Sequence, residues 1–205
     1  VQQVTTIERR GRRVRVLYTP EQIAERNAEL AREIGARAGP DLLVIAILKG
    51  SFVFAADLMR ALYAANLSPE VEFMSLSSYG AGTESTGRIT VLRDIDSEVK
   101  NRTVVLIDDI LESGRTIAYA KDLLAARGAK AVYTCVMLDK PGKRAAAIDA
   151  DFVGFTCPDK FVVGYGMDVA HAFRELPFVG IVEGRVGEEA TEDGGRGDGD
   201  DTAGR

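Results

Sequence analysis

Residues 42–48 read LLVIAIL, seven consecutive apolar residues with no polar position on either alternating face. A strand with one wet face alternates in polarity. A strand that does not alternate is buried on both faces. The run TVVLI at 103–107 repeats the pattern. Strands of this kind belong to parallel sheets, whose crossover helices cover both sides. The chain is therefore expected to be an α/β protein, a mostly parallel sheet flanked by helices.

The remaining segments fit this frame. Thr19-Pro20-Glu21-Gln22 is a helix start, with Thr19 as N-cap, proline at the first helical position and a glutamine three residues after the cap. That helix is predicted over 20–38 and stopped by Gly39-Pro40. Further helices are predicted over 51–65 and 116–127, the last ended by Gly128. Strands are expected at 71–77, 88–92, 131–138, 152–155, 161–165 and 178–182, with a Gly/Ser/Thr-rich loop over 79–87. No internal repeat or inter-domain linker is evident, so residues 1–187 are expected to form one domain.

Residues 188–205 carry seven acids and two arginines, a net charge of −5 equal to that of the whole chain. They hold no large apolar side chain and are expected to form a disordered acidic, glycine-rich tail. The neutral remainder argues against a broadly basic nucleic-acid surface. The local exception is Arg9, Arg10, Arg12, Arg13 and Arg15, read as a solvated or subunit-contacting face or, alternatively, a polyanion contact. The longest apolar run is far short of the roughly 20 residues that span a bilayer, and no basic-then-apolar leader opens the sequence. Cys135 and Cys157 lack metal-ligand spacing and are expected to be reduced core thiols in a cytoplasmic protein.

The chemistry concentrates in VVLIDDILESGRTI, residues 104–117. A buried strand delivers Asp108 and Asp109 to the carboxyl edge of the sheet, where ligands of parallel sheets bind. Glu112, Ser113, Gly114, Arg115 and Thr116 then turn into a helix. A helix N-terminus offers amide N–H groups to an anion, Gly114 permits close approach, and two hydroxyls add donors. This is not a Walker A loop, because GxxxxGK[ST] is absent. Two acids would repel a phosphate that touched them, but they suit hydroxyls or a metal ion. A sugar phosphate with a free diol satisfies both halves.

This stretch resembles the phosphoribosyl diphosphate (PRPP) motif of type I phosphoribosyltransferases. Four other segments narrow the resemblance to the hypoxanthine-guanine (6-oxopurine) enzymes: Leu48-Lys49-Gly50-Ser51, Ser77-Ser78-Tyr79-Gly80, Leu138-Asp139-Lys140-Pro141, and DFVGFTCPDKFVVGYGMD (residues 151–168) followed by Phe173-Arg174-Glu175-Leu176-Pro177. The resemblance implies a type I phosphoribosyltransferase fold with a small purine-binding hood. It implies transfer of ribose 5-phosphate from PRPP to N9 of a 6-oxopurine with Mg²⁺, giving IMP or GMP and pyrophosphate, in a homodimer or homotetramer. Asp108 and Asp109 would take the ribose hydroxyls directly or through metal, and residues 112–116 the 5-phosphate. Lys49 and Gly50 would form the pyrophosphate turn, often with a non-proline cis bond. Asp168 would face the metal and Arg174 the pyrophosphate. Lys140 would donate to purine O6, Phe161 would stack on the ring, and the Val162 backbone would meet its polar edge. The loop at Ser78 and Tyr79 would close over the reaction centre.

One position departs from the family pattern. The usual aspartate near purine N7 is Glu112 here, longer by one methylene, which leaves two roles open, general base or shaping of the turn. His171, the only histidine, lies outside the matched positions and is expected on the surface. Two other functions compete with the 6-oxopurine reading: a xanthine-preferring enzyme, and a nucleotide-sensing regulator of the same fold that binds RNA or DNA.

Overall fold

The computed structural model describes residues 5–78 and 89–185. Tyr79, the rest of the predicted 79–87 loop and the 188–205 tail lie outside the described residues. The elements run β1 (Thr6–Arg9), β2 (Arg12–Tyr18), α1 (Pro20–Ala38), β3 (Leu42–Leu48), α2 (Phe52–Ala64), β4 (Glu70–Ser78), β5 (Ile89–Arg93), β6 (Thr103–Leu111), α3 (Arg115–Ala126), β7 (Ala131–Asp139), β8 (Phe152–Thr156), β9 (Val162–Val163) and β10 (Val179–Arg185).

Six strands form the main sheet in the order β5-β4-β3-β6-β7-β8. All of its pairings are parallel except that of the edge strand β5 with β4. The unbroken apolar run of β3 splits between two cores. Leu42, Val44 and Ala46 pack with Ile23, Leu30 and Ile34 of α1 and Phe54, Leu58 and Leu62 of α2. Leu43, Ile45 and Ile47 pack on the other side with Ile117, Ala120 and Leu124 of α3. Each face thus needs its own apolar set, which is why the sequence does not alternate. The α1 start is built as its sequence implies: Thr19 accepts from the Gln22 amide while the Gln22 side chain accepts from the Thr19 amide. No helix among the described residues is long and apolar enough to cross a membrane.

A second, smaller sheet was only partly legible in the sequence. It is antiparallel, in the order β1-β2-β10-β9. The arginine cluster at 9–15 is a hairpin, turning through Arg10 (φ 50°) and Gly11 (φ 69°). The segments predicted as strands at 161–165 and 178–182 are strands in part, but they join this hood and not the parallel sheet. Their polarity reflects a small separate core of Val14, Val163, Ala172, Phe173 and Leu176.

Candidate active site

Strand β6 runs four residues further than the sequence implied. Asp108 and Asp109 lie inside its paired end, since Asp108 still faces Val136 and Leu111 faces Asp139 across β7. Extended pairing points the two carboxylates differently. Asp108 is buried, 8 % exposed, and its Oδ1 accepts from the Asp109 amide at 3.0 Å. Asp109 is half-buried, and its Oδ1 accepts from the Ile110 amide at 2.9 Å. Burial holds the Asp108 carboxyl well above the usual carboxylate range, and the neighbouring Asp109 raises it further. Burial raises Asp109 too, against hydrogen bonds and the more distant Arg174 charge. Two acids held out of water in this way favour a hydroxyl donor or a cation as partner.

The loop between β3 and α2 closes on this pair. The Leu48–Lys49 peptide is cis, Lys49 is exposed, and a Cβ on Gly50 would lie 1.7 Å from Asp109 Oδ2. Only glycine allows that approach. Gly166 (φ 99°) packs on the same loop, where a Cβ would meet the Gly50 carbonyl at 2.2 Å.

Beyond β6 the chain turns through Gly114 in the left-handed conformation (φ 78°), which caps α3. A recess of about 80 Å³ is lined by Asp108, Glu112, Ser113, Gly114 and Thr116. Its size and its position at a helix N-terminus suit one phosphate group. Arg115 is the first residue of α3, and its amide donates to Ser113 Oγ at 3.4 Å.

Next to the recess is a cavity of about 480 Å³ lined by Asp109, Glu112, Lys140, Phe161, Val162 and Asp168 among others. It brings together residues of both sheets. Lys140 follows β7 and is 6 % exposed. Its Nζ donates to Glu112 Oε1 at 3.0 Å and to the Lys160 carbonyl at 3.2 Å, with Asp159 3.6 Å away. Phe161 leads into β9 and is 56 % exposed on this cavity. An exposed ring at the mouth of a pocket is not a core residue.

Arg174 Nη2 pairs with Asp168 Oδ1 at 2.5 Å, and Nη1 donates to the Gly166 carbonyl at 2.6 Å. Asp168 lines the 480 Å³ cavity. Arg174 instead lines a larger, mostly apolar cavity of about 750 Å³ between α1 and α2. Its connection to the site is its ion pair with Asp168 and its field at Asp109. His171 is exposed, and its amide donates to Asp168 Oδ2.

Residues 16–170 match the phosphoribosyl transferase domain family. The chain belongs to the phosphoribosyltransferase family. Curated relatives include the hypoxanthine phosphoribosyltransferase of Escherichia coli K12, 40% identical over 172 residues, which span 82% of this chain and 95% of that protein. The hypoxanthine-guanine phosphoribosyltransferase of Mycobacterium avium is 41% identical over 178 residues, 83% and 86% of the two chains. Among solved structures, a hypoxanthine-guanine phosphoribosyltransferase of Bacillus anthracis superposes with a TM-score of 0.76 at 43% identity, covering 82% of this chain and 97% of that one.

Within this phosphoribosyltransferase fold, the expected site residues fall in several places. Asp109, Glu112, Lys140, Phe161, Val162 and Asp168 share one cavity, and Asp108, Ser113, Gly114 and Thr116 share the recess beside it. Gly50 adjoins Asp109 from the β3–α2 loop, and Lys49 before it is exposed. Ser78 ends β4, whereas Tyr79 lies outside the described residues. Lys143, Asp159 and Arg144, which no motif singled out, also contact Glu112 or its neighbours. Lys143 Nζ is 3.0 Å from Asp159 and 3.6 Å from Glu112. The basic run in Lys140-Pro141-Gly142-Lys143-Arg144 was the available signal. Nothing in it distinguished inward from outward charges.

Proposed function

We propose that this chain transfers the 5-phosphoribosyl group of PRPP to N9 of hypoxanthine or guanine, forming IMP or GMP and releasing pyrophosphate, an enzyme of purine salvage. The observation that carries this reading is the junction of the phosphate-sized recess with a cavity where Asp109 and Asp168 face Lys140, Glu112 and the exposed Phe161.

In this reading the 5-phosphate of PRPP occupies the recess, held by amides and hydroxyls of residues 112–116. Asp108 and Asp109 accept hydrogen bonds from the ribose 2- and 3-hydroxyls, in addition to the backbone amide that each carboxylate already accepts from. Lys49, Gly50 and Arg174 hold the pyrophosphate. Family membership is consistent with a divalent metal requirement, and the donor set suits Mg²⁺. Asp109 and Asp168 are hard oxygen ligands on one cavity, and no group of three or more metal-binding side chains among the described residues would enclose an ion alone. An ion held by one or two carboxylates and shared with substrate oxygens is the usual arrangement for Mg²⁺. When bound, it offsets charge on the departing pyrophosphate.

The base enters between Phe161 and Lys140. An ammonium has three donors and no acceptor. Two of the Lys140 donors are held by Glu112 and the Lys160 carbonyl, and the third is directed to purine O6. Phe161 stacks on the ring and the Val162 backbone meets its polar edge. Glu112 takes the proton from the N7 side as N9 bonds to C1 of the ribose. The loop at Ser78 and Tyr79 closes over the centre and excludes water that would hydrolyse PRPP. Residues 1–187 form the catalytic unit, and the enzyme works in the cytoplasm as a homodimer or homotetramer.

The test is an assay with PRPP, Mg²⁺ and each of hypoxanthine, guanine, xanthine and adenine. Hypoxanthine or guanine should be converted, and adenine should be inert, since an amino group facing Lys140 opposes two donors. Sites that hydrogen-bond a substrate group reject analogues lacking it by about 10⁴ or more. Adenine as the best substrate would overturn the base assignment, and no turnover with any base would overturn the reaction.

A further inference from the structure

The underside of the phosphate turn is held by one short segment. After Lys140, residues Pro141–Lys143 make a single 3-10 turn, and Arg144 folds back beneath β6. Its Nη1 donates to the carbonyls of Leu111 at 2.9 Å and Glu112 at 3.0 Å, and its Nη2 pairs with Asp139. The side chain is only 16% exposed. The next two amides, Ala145 and Ala146, both donate to the Ser113 carbonyl, at 2.8 and 3.0 Å. Arg144 Cδ and Ile148 Cγ2 fill the space behind Gly114, where a Cβ would meet them at 3.2 and 2.7 Å.

Three consecutive carbonyls, those of Leu111, Glu112 and Ser113, are therefore held against residues 144–146. In a trans peptide the N–H points opposite to the C=O of the same unit. Fixing these carbonyls directs the amides of Glu112, Ser113 and Gly114 to the other side of the turn, the side that lines the 80 Å³ recess. The Leu111 carbonyl also accepts from the Lys140 amide at 2.9 Å, and Asp139 is the residue before Lys140. One guanidinium thus ties the anion turn to the base-reading lysine.

We propose that Arg144 is a positioning residue for PRPP, orienting the amides of the phosphate turn while touching no substrate itself. The inference rests on the phosphoribosyl-transfer reading. A planar fork can serve two adjacent carbonyls and a carboxylate together, whereas the single nitrogen of lysine cannot hold the same geometry.

The experiment compares wild type, Arg144→Lys, Arg144→Met and the double variant Asp139→Asn/Arg144→Met, with saturating hypoxanthine and varied PRPP. The double variant removes the carboxylate that Arg144→Met strands. The expected result is a rise in KM for PRPP of about tenfold or more in all three variants, with kcat within about fivefold of wild type. The double variant should regain thermal stability without regaining KM. A wild-type KM for PRPP in Arg144→Lys or in the double variant would overturn the proposal. So would loss of the native far-UV spectrum in all three, because Arg144 would then be holding the fold and not aiming the turn. An inactive wild type would overturn the underlying reaction, and this inference with it.

Discussion

Replacing Asp108 with Asn separates what the site costs the fold from what it provides to the substrate. The substitution is isosteric, and the amide oxygen can still accept from the Asp109 N–H. What disappears is a charge buried at 8 % exposure beside a second carboxylate. Relief of an uncompensated buried group is worth about 1–3 kcal/mol. For a domain of this size each kcal/mol moves Tm by about 2–4 °C, so the variant should melt roughly 2–12 °C higher in the presence of a chelator. The sign in pH follows from the raised carboxyl. The folded state holds its proton more tightly than the unfolded one, so this contribution is fully present below the ordinary aspartate pKa of about 3.9. It is lost as pH rises through the folded value, and the advantage of Asn should therefore grow with pH. Ligand acts in the opposite direction. At about a hundred times Kd, Mg²⁺ and PRPP add about 2.7 kcal/mol to the wild type. The variant loses a charge-assisted hydrogen bond worth about 1.5–3 kcal/mol, so its affinity falls by roughly 10- to 150-fold and about half or more of the shift disappears. Thermal melts with chelator and with Mg²⁺ plus PRPP read both effects. A lower Tm for Asp108→Asn in chelator, or an undiminished PRPP shift, would refute the argument.

Three further outcomes follow from the same site. Glu112→Gln should lower kcat about 10²-fold, the usual scale for a lost general base, while Glu112→Asp remains active; steady-state kinetics at saturating PRPP decide this, and full activity of the Gln variant would make the residue structural. Lys140→Ala should weaken use of 6-oxopurines and narrow the gap to adenine, read as the ratio of kcat/KM values for the two bases. Removal of residues 188–205, expected from composition to be dispensable, should leave turnover and Tm nearly unchanged, and a large loss in either would show that the tail docks.

Sequence alone determined the parallel α/β frame, because a strand covered on both faces needs apolar residues at successive positions and not only at alternate ones. The β3 run says so without any coordinates. It also marked Asp108, Asp109 and the Ser113–Thr116 turn, since adjacent acids followed by a glycine-bearing helix start combine incompatible local chemistries unless a ligand reconciles them. Local signals ended at the hood. The seven residues of β10, mixed in polarity, take their pairing from β2, more than a hundred residues away, and the two-residue β9 in turn pairs with β10. Nothing in their own spacing distinguishes that sheet from an edge of the main one. Only the tertiary structure placed Phe161 at the cavity mouth, brought Lys140 to Glu112 across 28 residues, and turned Arg144 inward beneath the phosphate turn while Lys143 beside it stayed at the surface. The direction of a side chain outside regular helix or strand is fixed by what packs behind it, and for Arg144 that is the end of β6, 33 residues earlier at Leu111 but adjacent in space.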